Sequence, residues 1–151
     1  MLKHTLKKMF LVIVMSVFTI NVHAADWTMA SGYPKSNFHT QNIMKFIDEV
    51  KANTSVNINL NENDTLIKID AIKTSLQRGQ IPIGEIRLGI YGNEDPMYIL
   101  AGLPFIAPDY SSAWLLKDVQ MGYLQEKFGK KGLMILYTSP WPGQGFYTKT
   151  P

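Results

Sequence analysis

The chain contains no cysteine among its 151 residues. Disulfides, thiol nucleophiles and cysteine-based metal sites are thereby excluded, as is a lipid anchor on an N-terminal cysteine. Histidine is nearly absent. His4 and His23 lie in the first 24 residues, which leaves His39 alone in the rest of the chain and excludes a multi-histidine metal site there. There is no glycine-rich phosphate loop, no Gly-x-Ser-x-Gly elbow, no internal repeat and no low-complexity run, and we read no catalytic set and no cofactor. The first 24 residues also lack any acidic side chain.

What fills that acid-free stretch is Lys3, Lys7 and Lys8 followed by an apolar run from Met9 to Ile20 and the small-residue ending Val22-His23-Ala24. This is the pattern of a secretory signal cleaved after Ala24, with an apolar segment short for a bilayer span. The alternative is an uncleaved membrane anchor. Export to the periplasm is the expected destination. The signal also explains the charge. The formal net charge is +3, from 15 basic and 12 acidic residues, and loss of three lysines leaves twelve of each. With no basic stripe or clustered Lys/Arg face, a nucleic-acid partner is not expected.

The mature part reads as alternating strands and helices. Asp26 to Ser31 alternates around Trp27 and Met29. Ser36 or Asn37 can cap a helix whose stripe is Ile43, Phe46, Ile47 and Val50. Val56, Ile58 and Leu60 alternate with asparagines, as in an edge strand. A helix with core positions Ile69, Ile72 and Leu76 follows, with Gly79 as its left-handed terminator. Ile81 to Ile90 reads as a buried strand. A longer, well-buried helix runs from Pro108-Asp109 to about Phe128, with Trp114, Met121, Leu124 and Phe128 on one side. Leu133 to Tyr137 reads as a central parallel strand, and Phe146 to Lys149 as a further extended segment.

This order, β-α-β-α-β-α-β, predicts an α/β fold with a mainly parallel sheet and helices on both faces. Right-handed crossovers bring the loops after the strands to one edge, where such sheets hold ligands. The converging loops are residues 32–39, 91–95 and 139–144. They carry Tyr33, able to stack on or hydrogen-bond a ligand or to pack in its turn beside Pro34. Asn37 opens the first helix, where exposed N–H groups favour anions. His39 falls on the apolar stripe and reads as a core or capping histidine. Asn93 and Glu94 offer an amide and a carboxylate, or else form a solvated Asx-type turn. Asp95 before Pro96 reads as a cap. Trp141, stiff between two prolines, and Gln144 offer a wall and a polar contact, or packing at the crossing. Glu85 reads equally as a structural acid or a contact. Arg87 lies close to this edge and can face either way, while Arg78 ends a helix away from it.

The wording of these segments is similar to one family. Gly79-Gln80-Ile81-Pro82-Ile83-Gly84-Glu85, Tyr91-Gly92-Asn93-Glu94-Asp95-Pro96 and Leu103-Pro104-Phe105 resemble solute-binding proteins of tripartite ATP-independent periplasmic (TRAP) transporters, the DctP-like family. Residues 27–34, 37–39 and 141–149 fit the same pattern, so the resemblance covers nearly all of the mature chain. It implies two α/β lobes closing on an organic acid and presenting it to the TRAP membrane permease subunits. On that basis residues 1–24 are the signal peptide, 25–145 an N-terminal lobe and 146–151 the start of a hinge strand. The family's main carboxylate anchor, an arginine of the second lobe, would lie beyond Pro151. The expected reading is therefore one lobe of a two-lobed binding protein, truncated near the hinge and not functional alone. The rival from a different class is a self-contained secreted α/β interaction domain or a minor hydrolase.

Overall fold

The structure is a computed structural model and describes residues 25–149. The signal-like segment 1–24 and the last two residues lie outside them.

Three parallel strands form one sheet in the order β2-β1-β3. They are β1 (Asp26–Ala30), β2 (Asn57–Asn61) and β3 (Ile83–Gly84). Met29 is in register with Leu60 on one side and Ile83 on the other. Because successive side chains of a strand point to opposite faces, Met29 and Ala30 seed separate cores. On one face Met29, Ile58 and Ile83 pack against Ile43 of α1 (Phe38–Asn53), with Phe46, Ile47 and Val50 of the same stripe around them. On the other, Ala30 meets Ile72 of α2 (Ile72–Gln77) and Ile81. The predicted two-faced parallel sheet is thus present, and β2 lies at its edge as its alternation indicates.

The helix boundaries follow from their caps. Asn37 has extended backbone and its side-chain oxygen accepts from the His39 amide at 2.8 Å, which starts α1. Gly79, at φ +67°, ends the α2 region in the left-handed conformation that glycine adopts without a Cβ penalty. Asp64 accepts from the Ile69 amide at 2.8 Å, but the helix itself begins only at Ile72, so Ile69 lies ahead of it. Asp95 caps a 3₁₀ turn at Pro96–Tyr98 by accepting from the Met97 amide. Asp109 caps α3 (Tyr110–Gly129) through the Ser112 amide.

Three sequence expectations are corrected. Residues 86–90 do not continue β3. Leu88–Tyr91 is a 3₁₀ turn, and Ile86, Leu88 and Ile90 pack together against Tyr91, Tyr98, Leu124 and Phe128. One cluster takes all three side chains, where a strand buried on one face would give the same alternation. Second, α3 is buried mainly through Gln120, Leu124 and Phe128, while Trp114, Leu115 and Val119 are exposed. Third, residues 133–137 are extended but pair with no strand among the described residues. Their anchor is the Gln125 side chain, which donates to the Ile135 carbonyl at 2.8 Å and accepts from its amide at 3.4 Å. The Phe146–Lys149 segment also pairs with no strand among the described residues, as a single lobe would leave it, and Phe146 and Tyr147 are largely exposed. Among the described residues, no helix is long and apolar enough to cross a membrane.

Candidate functional site

The loop leaving the carboxyl end of β1 and the start of α1 meet the 139–145 segment in a group of aromatic side chains. Tyr33 stacks on His39 with ring centroids 5.5 Å apart, and Trp141 presents an edge to both, at 5.5 Å and 4.5 Å. Phe38 flanks His39 at 4.0 Å. The 139–145 segment is fastened from two sides: Asn42 of α1 donates to the Ser139 hydroxyl at 3.4 Å, and the Phe105 amide donates to the Gln144 carbonyl at 3.1 Å.

Within this group sit two buried side-chain atoms without a hydrogen-bond partner among the described residues, the Tyr33 hydroxyl and His39 Nε2. An unpaired buried polar atom costs on the order of 1–3 kcal/mol, so such atoms mark places where a partner is missing. His39 is 4% exposed, and burial pushes its imidazole below its ordinary pKa, which favours the neutral ring. Burial pushes the Tyr33 phenol upward, opposed by the positive charge of Arg87 and reinforced by the negative charge of Glu85. Arg87 has no ion-pair partner among the described residues.

Glu85 directly follows β3. Its amide donates to the Ala30 carbonyl at 2.9 Å, and its Oε2 accepts from the fully buried Ser31 hydroxyl at 2.5 Å. Burial raises the Glu85 pKa and the Ser31 bond lowers it, with burial the larger effect. The Tyr33 amide donates to the same Ser31 oxygen at 3.3 Å. Ser31, neither cysteine-like nor charged, gives little away in the sequence.

The six residues singled out in the sequence fall in different places. Tyr33 and Trp141 come together in the aromatic group. Asn37 spends its side-chain oxygen on the helix cap. Gln144 lies on the fastened segment, its side-chain amide donating to the Pro142 carbonyl at 2.7 Å. Asn93 is exposed on the turn after Tyr91. Glu94 is held in an ion-pair set with Lys73 and with Lys131, the latter at 2.7 Å. Lys73 is itself 2% exposed and lies over the Tyr91 ring, 4.2 Å from its centroid. A neighbouring set joins Asp95 to Lys127 at 3.1 Å and to the Tyr123 hydroxyl at 2.5 Å. Glu94 and Asp95 thus connect to α2, α3 and Lys131, whereas Ser31 and His39 contact Tyr33 and Glu85 bonds Ser31. Sequence spacing put Glu94 at the end of a long strand. The early end of β3 at Gly84 shifts that strand-end position back to Glu85.

The arrangement can take a ligand with a flat or apolar side for the rings and polar atoms for the Tyr33 hydroxyl and His39 Nε2. Among the described residues, no group of histidine, aspartate and glutamate side chains is placed to hold a metal ion.

No protein-family model matches the chain, and no curated protein does. Solved structures do. DctP7, a Bordetella pertussis extracytoplasmic solute receptor binding pyroglutamic acid, is 38% identical over 85% of this chain, with a TM-score of 0.78. DctP6 of the same organism, also a receptor binding pyroglutamic acid, is 38% identical over 78% of the chain, with a TM-score of 0.76. A TRAP solute-binding protein from a marine metagenome, specific for pyroglutamate, is 34% identical over 85%, with a TM-score of 0.79. The chain spans 40 to 43% of the length of these proteins, the extent of a single lobe. Its parallel sheet, two-faced packing and sequence together place it in the DctP-like family of TRAP solute receptors.

Proposed function

We propose that this lobe takes part in capturing a small organic acid of the pyroglutamate type, outside the cytoplasm, for a TRAP-type secondary transporter. The observation that carries the reading is the pair of buried atoms without a partner among the described residues, Tyr33 hydroxyl and His39 Nε2, at the carboxyl end of β1. The relatives support the same ligand class: three of them at 34–38% identity are described as binding pyroglutamate. Tyr33 and Trp141 supply the wall, Arg87 the charge, and Gln144 and Asn37 the shape of the loops behind them. The TRAP membrane permease is the partner this role requires. Of the further sequence candidates, Asn93 is exposed on the turn after Tyr91, and Glu94 pairs with Lys73 and Lys131.

One lobe covers one side of a ligand, whereas pockets bury most of a ligand's surface. Binding by this lobe alone is therefore expected in the millimolar range. Titrating L-pyroglutamate into the purified chain, with glycerol as the control, should shift the NMR signals of Trp141 and His39 saturably. A spectrum unchanged at high concentration would remove the proposed ligand class.

The lysine-led, apolar N-terminus motivates a companion proposal, export with cleavage after Ala24. Mass spectrometry of a periplasmic extract should find a chain beginning at Ala25. A product retaining residues 1–24 in the membrane fraction would contradict it.

A further inference from the structure

The ring of His39 is enclosed by three others, with centroids at 4.0 Å for Phe38, 4.5 Å for Trp141 and 5.5 Å for Tyr33. Its Nε2 is buried without a hydrogen-bond partner among the described residues, and the Tyr33 hydroxyl, in the same condition, does not bond to it. A neutral imidazole meets this at the least cost, because Nε2 can be its bare nitrogen. In an imidazolium both nitrogens carry a proton, so Nε2–H becomes a buried, charged donor with no acceptor. The rings around it attract a cation but do not supply that acceptor. Neighbouring charges do not supply it either. Residues 38–44 of α1 and residues 139–145 carry no charged side chain, and Lys35 on the preceding loop is exposed and of like sign. Tyr33 is kept neutral by burial, with Arg87 and Glu85 acting on it in opposite directions. Burial alone lowers the His39 pKa.

A protonated ring must reach water, and the walls around it are held with unequal firmness. Phe38 shares α1 with His39, and the Asn37 cap fixes the start of that helix. The Tyr33 backbone is bonded three times. Its amide donates to the Ser31 hydroxyl oxygen at 3.3 Å, and its carbonyl accepts from the Asn63 amide at 2.9 Å and the Thr40 hydroxyl at 3.2 Å. Trp141 rides on a segment that pairs with no strand among the described residues, and it is 42% exposed. It is the wall that yields. We infer that His39 is the positioning residue for Trp141, holding the indole against Tyr33 only while the imidazole is uncharged, so that a proton on Nε2 sends Trp141 outward and opens the aromatic group. This goes beyond ligand capture and concerns the lobe without ligand. Opening returns His39 toward its ordinary value of 6.5, above its enclosed value. The closed group is therefore fully stable above about pH 6.5 and loses stability as pH falls from there toward the lowered value.

The test is an NMR titration of the purified chain without ligand, from about pH 8 to about pH 5, following the His39 ring and the tryptophan indole N–H signals. The lower limit stays above the range in which Glu94 titrates. His39 should titrate with a midpoint below 6.5, and the Trp141 indole should move toward the position of an exposed tryptophan with that same midpoint, while Trp27 and Trp114 keep theirs. His39→Phe keeps a ring that cannot take a proton, so Trp141 should stay in place across the whole range. His39→Ala has no ring, so Trp141 should be displaced at every pH. Unchanged amide signals outside residues 31–42 and 139–145 report that each variant is folded, and the parent titration decides by itself if one is not. A His39 titration that leaves Trp141 unmoved overturns the inference. So does a His39 midpoint at or above 6.5, or a pH-dependent Trp141 shift that persists in folded His39→Phe.

Discussion

Glu94→Gln is expected to lower the stability of this lobe by about 2–3 kcal/mol, seen as a lower urea midpoint at unchanged slope. The cause is Lys73 rather than Glu94. The Lys73 side chain is 3% exposed, and its ammonium is paired with Glu94, whose own side chain is one-third exposed. Removing one partner of a buried pair leaves the other charge desolvated and uncompensated, typically at about 3–5 kcal/mol. Water reaching the Glu94 side lowers that figure here. The Tyr91 ring beneath Lys73 retains a cation–π contact and lowers it further. Lys131 also loses its partner but is 39% exposed, so its share is small. Adding Lys73→Met to Glu94→Gln should recover most of the loss, because the stranded charge is gone. A single variant as stable as the parent would show that Lys73 finds water.

The same pair sets a pH dependence. Hydrogen bonds from Lys131 and then Lys73 hold the Glu94 carboxyl below its ordinary value of 4.5. The folded lobe therefore resists protonation more than the unfolded chain does. This share of the stability is fully present above about pH 4.5 and disappears as pH falls through the lowered folded value. In Glu94→Gln the acid limb of the stability curve should flatten.

Gly143→Ala is expected to free the 139–145 segment, with a stability loss of about 1–3 kcal/mol and loss of the response to pyroglutamate. A Cβ at position 143 would stand 2.2 Å from the Pro108 carbonyl oxygen and 2.7 Å from its carbon. Both atoms are backbone, so no side chain can swing aside. Relief requires the segment to lift from residues 105–108, which breaks the Phe105–Gln144 bond and draws Trp141 off Tyr33 and His39. The readout is the Trp141 indole N–H, whose resonance should move toward that of an exposed tryptophan. An unmoved resonance with intact pyroglutamate binding would show that the backbone yields elsewhere.

Much of this architecture is legible in residue order because the signals are local. Alternation in residues 56–60 marks β2, the stripe from Ile43 to Val50 marks α1, and Asn37, Asp95 and Asp109 cap where their chemistry suggests. The misreadings share one origin. Ile86, Leu88 and Ile90 alternate like a strand, yet their burial comes from α3 and Tyr98, distant in sequence. Leu133–Tyr137 is apolar like a central strand, but pairing is a property of neighbours and not of the run itself. The surroundings of Glu94 are hidden from the sequence for the same reason. Tyr33 and Trp141 are visible as strand-end aromatics, whereas Glu94 satisfies a lysine 21 residues earlier, a contact that no spacing reveals. Ser31 is legible only through its partner Glu85, 54 residues away.

The grip of Gln125 on Ile135 has a consequence for life at high concentration. One side-chain amide occupies one peptide of the run, and the peptides of exposed Met134 and Leu136 on either side have no hydrogen-bond partner among the described residues. Such a rail accepts any passing strand, including its own copy, and natural edges are usually guarded by charge. Lys130 and Lys131 stand immediately upstream in that guarding position, but both are already neutralised, by Glu126 and by Glu94. Any self-association that begins at this run is therefore expected to involve residues 134–136 first, and a charge placed at Met134 or Leu136 should suppress it.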